Sequence, residues 1–188
     1  MKHDLIIAGF GGQGILFAGQ LMAYAGMLDG LEVSWMPSYG PEMRGGTANC
    51  TVVLSREKIR SPLVTNPRGL IAMNKPSLEK FVDAVRPGGV VVLNSGMVDI
   101  AVKRKDIACL ELDADALAVE AGSSRVANLI ALGAYLQAAL PVKPESVFAA
   151  LEKVVPEHRF HLLPVNRAAL RKGMEVAETL GGGVIQDD

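Results

Sequence analysis

Four apolar residues, Leu5-Ile6-Ile7-Ala8, run directly into Gly9-Phe10-Gly11-Gly12-Gln13-Gly14. Ile15-Leu16-Phe17-Ala18-Gly19-Gln20-Leu21-Met22-Ala23-Tyr24 follows. The first run suits one buried strand and the last suits a helix. Strand, glycine turn and helix together open a doubly wound α/β domain. Gly9 lets the chain turn sharply, and Gly11 and Gly12 leave the backbone bare for a bound group. Gly14 lets the helix pack close to the strand. Free N–H groups and the helix dipole favour an anion at such a start. A packing turn with no ligand would select the same glycines.

A nicotinamide site makes a further demand: an Asp or Glu about 20 residues on, at the tip of the second strand. That strand is predicted over Leu31 to Met36 and ends in Pro37-Ser38-Tyr39-Gly40, with no acid. Glu32 sits at the strand's start, the wrong end. The fold signal survives and the usual nicotinamide cofactor is demoted.

The chain has 188 residues, and 49% of them are hydrophobic. That predicts a single domain over 1–188 with an ample core and a helical C-terminal part from about residue 123. The net charge of −1 provides no basic field for nucleic acid or an anionic membrane, and the 5% aromatic content argues against base stacking. Cys50 and Cys109 lie far apart, which excludes an iron–sulfur site built by this chain alone. Free thiols, with a first strand entered at once from Met1, point to a reducing cytoplasm and no cleaved leader. The longest apolar stretch, Val126 to Leu140, contains Asn128 and Gln137 and is too short to span a bilayer.

The predicted order continues the α/β pattern. A helix over 14–28 carries Ile15, Ala18, Met22 and Ala25 on one stripe. Pro37 to Gly46, with its prolines and glycines, is expected to be a shaped loop. Strands follow over 47–54, 69–73, 90–93 and 107–112. The uninterrupted Val90-Val91-Val92-Leu93 suits a central parallel strand. Helices are predicted from 74 to the stop at Pro87, and over 113–121, 123–140, 144–155 and 166–180, before a frayed glycine-rich tail. The fold class is therefore α/β: a Rossmann-like open, mostly parallel sheet with helices on both faces and a helical C-terminal part.

In such a sheet, ligands bind beyond the carboxyl ends of the strands. The two loops expected there offer Gly11, Gly12, Gln13, Gly14, Ser38, Tyr39, Arg44, Gly45 and Gly46. Arg44 beside Gly45-Gly46 makes a fork for a phosphate or carboxylate, unless it ties the loop to a carboxylate such as Glu42. Asn128, inside an apolar helix, must find partners. It serves either a helix-to-loop hydrogen bond or a ligand contact. No Ser-His-acid set is visible, since His3, His158 and His161 sit at the chain's margins. His158 and His161 lack a third metal ligand, and there is no Walker signature. No catalytic and no metal-binding residue is assigned. The pattern is that of a subunit completing another chain's active site.

Gly9-Phe10-Gly11-Gly12-Gln13-Gly14, followed by Ser38-Tyr39-Gly40-Pro41-Glu42-Met43-Arg44-Gly45-Gly46-Thr47-Ala48-Asn49-Cys50, resembles the gamma subunit of 2-oxoacid:ferredoxin oxidoreductases. Pro87-Gly88-Gly89 with the strand to Asn94, and Ala127-Asn128 to Leu132-Gly133, fit the later part, so the resemblance covers nearly the whole chain. It implies membership of an enzyme that oxidatively decarboxylates a 2-oxoacid, makes an acyl-CoA and reduces ferredoxin. It implies alpha and beta partner chains with thiamine diphosphate and magnesium between them. Iron–sulfur clusters would lie in other subunits, with a small ferredoxin-like delta chain as a further candidate partner. The gamma domain itself would help to bind coenzyme A. The wording from Tyr39 to Gly46 is closest to the 2-oxoglutarate and branched-chain types, with the indolepyruvate type as an alternative. Two readings from other classes are a free-standing nucleotide-binding oxidoreductase and a structural adaptor.

Overall fold

A computed structural model describes residues 2–38 and 47–181, with Thr47 described in its backbone only. Six strands form one sheet: β1 (Lys2–Phe10), β2 (Glu32–Ser38), β3 (Thr47–Ser55), β4 (Gly69–Ala72), β5 (Val90–Asn94) and β6 (Ala108–Leu112). Their spatial order is β2-β3-β1-β4-β5-β6. β1, β4, β5 and β6 are parallel neighbours, whereas β3 runs antiparallel to both β1 and β2. The sheet is thus mostly parallel, as expected, with one reversed strand.

That reversed strand changes the first crossover. The chain leaves β1, forms α1 (Ile15–Leu28), enters β2 and returns as β3. β3 takes the place beside β1 that a simple doubly wound start would give to the second strand. β2 becomes the edge of the sheet, which explains a difference from the sequence expectation. Pro37 and Ser38 belong to the strand and pair with Cys50 and Asn49. Proline lacks an N–H and is tolerated at an edge, where one side of the ladder needs no donor.

The helices load the two faces unequally. Alternation along β1 sends Leu5 and Ile7 to one face, and Ile6 and Ala8 to the other. The first face carries α1, α3 (Ala114–Glu120), α4 (Ala127–Ala139), α5 (Pro144–Val154) and α6 (Leu163–Thr179). The second carries α2 (Lys75–Phe81) and Val98, Ile100 and Val102 from the segment after β5. Asn74 caps α2 by accepting from the Ser77 N–H at 2.9 Å. A 3₁₀ turn over Val82–Ala84 finishes the helix expected to run to Pro87. Another 3₁₀ turn, Ser124–Val126, replaces the first turn expected of the helix over 123–140. α6 starts earlier than predicted, at Leu163, because Pro164 falls in its first turn, where its missing N–H is harmless.

α4 is apolar all round because it is covered all round: Leu129 to Leu136 are buried without a break. Its outer neighbour α6 approaches until the main chains touch. A Cβ added to Gly133 would strike the Leu170 carbonyl oxygen, and one added to Gly173 would strike that of Ile130. At the amino end of the sheet, Tyr135 of α4 lies 2.6 Å from His3 Nε2 through its hydroxyl. Burial pushes that hydroxyl's pKa well above the ordinary tyrosine range. His3, placed at the chain's margin by sequence alone, is instead buried and joined to a residue 132 positions away.

The α4–α6 contact yields a stability prediction. Alanine in place of a helical glycine gains about 1 kcal/mol of helix propensity. Overpacking a contact between main chains costs about 1–3 kcal/mol or more. Gly173→Ala is therefore expected to lower the urea unfolding midpoint, whereas an ordinary glycine-to-alanine change in a helix would raise it.

Candidate functional site

The glycine turn lies where the chain divides: α1 leaves to one side of β1, and β4 pairs with β1 on the other. Gln13 closes this point from within. Its Oε1 accepts from the Phe10 N–H at 2.6 Å, and its Nε2 donates to the Met73 carbonyl at 3.4 Å. Met73 N–H in turn donates to the Ala8 carbonyl at 2.8 Å. The carboxyl ends of β1 and β4 are thus stitched together by one side chain. Gly9 is needed for that stitch: a Cβ there would sit 2.6 Å from Gln13 Oε1 and 2.9 Å from Met73 Cβ.

The remaining glycines open the turn to one side and close it on the other. Gly11 and Gly12 are exposed. Gly12, at φ +95°, has open space where a Cβ would stand. Gly14 adopts φ +72° and precedes α1 without any side-chain cap, and no acid occupies the first turn. A Cβ on Gly14 would lie 2.5 Å from Asn128 Nδ2. That same nitrogen donates to the Gly14 carbonyl at 2.9 Å. Of the two roles open to Asn128, the helix-to-loop hydrogen bond is the one observed. The turn therefore presents bare amides and the positive end of a helix outward, while its inner side is walled by α4.

The second loop reaches the same edge of the sheet through its ends. Ser38 is exposed and pairs with Asn49, which in turn pairs with Ala8. Thr47 pairs with Phe10, the residue before Gly11. The structure so brings together Gly11, Gly12, Gln13, Gly14 and Asn128, with Ser38 on the same edge. Tyr39, Arg44, Gly45 and Gly46 lie outside the described residues, as does the tail from 182 onward.

Neither cysteine is poised as a nucleophile. Burial pushes the Cys50 thiol up to about 12, against the lowering effect of its hydrogen bonds, and its Sγ donates to the Ile15 carbonyl at 3.6 Å. Burial, with Glu111 nearby, pushes Cys109 to about 12. Thiolates at such values are too scarce near neutral pH to act as nucleophiles. His158 and His161 are exposed on a 3₁₀ turn. Among the described residues, no three His, Cys, Asp or Glu side chains are grouped to hold a metal ion. Nor is any described helix long and apolar enough to cross a membrane.

Among the described residues, the domain combines an open-edged, mostly parallel sheet, an uncapped and acid-free start to α1, and no grouped metal ligands. Residues 4–176 match the pyruvate ferredoxin/flavodoxin oxidoreductase family, and the chain belongs to it. It is 36% identical over 171 residues to the ketoisovalerate oxidoreductase subunit VorA of Methanothermobacter marburgensis, covering 91% of this chain and 36% of that one. It is 33% identical over 183 residues to the 2-oxoglutarate synthase subunit KorC of Methanocaldococcus jannaschii, covering 96% of both. The chain thus spans about a third of the VorA relative and nearly all of the KorC relative. Among solved structures, the gamma subunit of a keto/oxoacid ferredoxin oxidoreductase from Geobacter sulfurreducens superposes with a TM-score of 0.84 at 28% identity, covering 95% of this chain and 98% of that one. The 2-oxoglutarate:ferredoxin oxidoreductase of Magnetococcus marinus, solved with 2-oxoglutarate, coenzyme A and succinyl-CoA, superposes at 0.86 and 25% identity, covering 97% of this chain and 32% of that one.

Two substitutions separate the roles of the Asn128 amide. Asn128→Ala removes one hydrogen bond while the Gly14 carbonyl keeps the Ala18 N–H at 3.1 Å, so the expected loss is about 1 kcal/mol. Asn128→Asp turns a carboxylate toward a carbonyl in a buried place and should cost more, about 2 kcal/mol or above. Urea unfolding at neutral pH checks the order; a more stable Asp variant would remove this bond from the account of the turn.

Proposed function

We propose that this chain is the gamma component of a 2-oxoacid:ferredoxin oxidoreductase of the 2-oxoglutarate or branched-chain type, working in a reducing cytoplasm. In this role it supplies a surface and no reactive group. The observation that carries the reading is the uncapped, acid-free start of α1 beside the open backbone at Gly12. Such a start suits the phosphate groups of coenzyme A. Coenzyme A is bound in the Magnetococcus marinus relative, which supports the ligand, and the VorA and KorC names support the substrate type. In this reading Gly11, Gly12 and Gly14 offer main-chain N–H groups, and Gln13 holds their geometry. Ser38, Tyr39, Arg44, Gly45 and Gly46 complete the anion site, while Asn128 braces the turn from behind. Coenzyme A supplies the thiol that receives the acyl group. Thiamine diphosphate, magnesium and the iron–sulfur clusters are assigned to alpha, beta and ferredoxin-like delta chains, in keeping with the lack of any metal-holding cluster among the described residues.

A free-standing nucleotide-binding oxidoreductase fits less well. The tip of β2 ends in exposed Ser38, and β3 holds it one strand away from β1, about 4.8 Å farther than a ribose reader would stand.

Reconstitution tests the proposal. The purified chain is expected to turn over no 2-oxoacid, and activity should appear only with alpha and beta chains. In the reconstituted enzyme Arg44→Ala should raise the KM for coenzyme A about tenfold or more, the loss of one charged contact of 1.4 kcal/mol or above. Decarboxylation by the isolated chain would overturn the division of labour; an unchanged KM with normal assembly would remove Arg44 from the site.

A further inference from the structure

Behind the glycine turn, on the helical face, lies a cavity of about 590 Å³. Residues from the first turns of three helices line it: Gly14 and Phe17 of α1, Asn128 of α4 and Asn166 of α6. Of these, only α1 begins afresh, uncapped and without an acid in its first turn; α4 continues from the 3₁₀ turn Ser124–Val126, capped by the Ser123 side chain, and α6 continues from the 3₁₀ turn Glu157–Leu162. Arg125 and Arg159 stand in the same wall, and among the described residues no Asp or Glu lines it. Neither arginine is paired with a described carboxylate. The rest of the described lining is valine, leucine, proline and Ser123, whose hydroxyl accepts from the Arg125 N–H.

Asn166 singles this space out from an ordinary packing gap. It is 7% exposed, it lines the cavity, and its carboxamide bonds to no described residue. Its carboxamide is not among the fully buried unpartnered polar atoms, so it stays open at the cavity as a free donor and acceptor. A mostly apolar cavity with a few converging polar groups is the usual form of a small-molecule site.

We infer that this cavity binds an oxyanion carried on an apolar stem, a small aliphatic carboxylate or phosphate monoester, at a site separate from the outer face of the glycine turn. Arg125 and Arg159 pair with the head group, Asn166 donates a hydrogen bond to it, and the stem lies along the apolar wall. The Asn128–Gly14 contact is the partition: Gly12 opens to one side of it and the cavity to the other. The inference stands whether or not the turn takes coenzyme A.

Calorimetric titration of the purified full chain tests it with hexanoate, hexyl phosphate and hexanol. At least one of the two anions should bind saturably and hexanol should not; the tighter anion identifies the natural head group. Affinity should rise about fourfold per methylene from butyrate to hexanoate, as burial of each CH₂ implies. Arg125→Ala combined with Arg159→Ala should weaken binding at least tenfold at an unchanged Tm, since both residues are exposed outside the core. Excess coenzyme A should leave the affinity as it was. No saturation by either anion, equal binding of hexanol, or indifference to the double substitution would overturn the site. Displacement by coenzyme A would overturn its separateness.

Discussion

The molecule is organised around a single glutamine. Gln13 reaches from the end of β1 to the end of β4 and occupies the point where the chain turns one way into α1 and the other way into the rest of the sheet. A side-chain amide can do this because it offers a donor and an acceptor at once, one for each strand. With that junction tied, Gly11 and Gly12 can remain bare, since the turn does not need its own side chains to hold it. The open backbone at Gly11 and Gly12 is thus a consequence of stability supplied from below.

The same logic distributes labour between the faces. The face bearing α1 and α3–α6 is thick, and the C-terminal helices reach back to brace the first turn through Asn128. The other is covered by a short helix and an extended segment. Among the described residues, the two thiols are held protonated by burial, and the one buried histidine is bonded to Tyr135. What remains is shape, bare backbone and positive helix ends, which fits a family whose members carry the word subunit in their names.

Much of this was readable beforehand, and the exceptions have physical reasons. Elements governed by strong periodicity or by glycine and proline were found: the strand and turn at Leu5–Gly14, the apolar β5, and the stripe of Ile15, Ala18, Met22 and Ala25, all buried. The uncapped start of α1 after the glycine turn was legible from the same glycines. The place of β3 was not legible, because strand order depends on pairing across the chain and leaves no local trace. Pro37 reads as a loop residue from the sequence because edge position is likewise a tertiary property. The burial of His3 leaves no local trace either, since its partner is 132 residues away. Asn166 gave no signal at all: a polar residue near a helix start is ordinary until its surroundings prove to be a cavity.

The touching main chains of α4 and α6 have a mechanical corollary. Helices separated by interlocking side chains can slip by a rotamer change, but two backbones meeting at Gly133 and Gly173 have no such slack. A substitution that shifts α6 must therefore shift α4 as well, and with α4 goes the Asn128 amide that holds the Gly14 carbonyl.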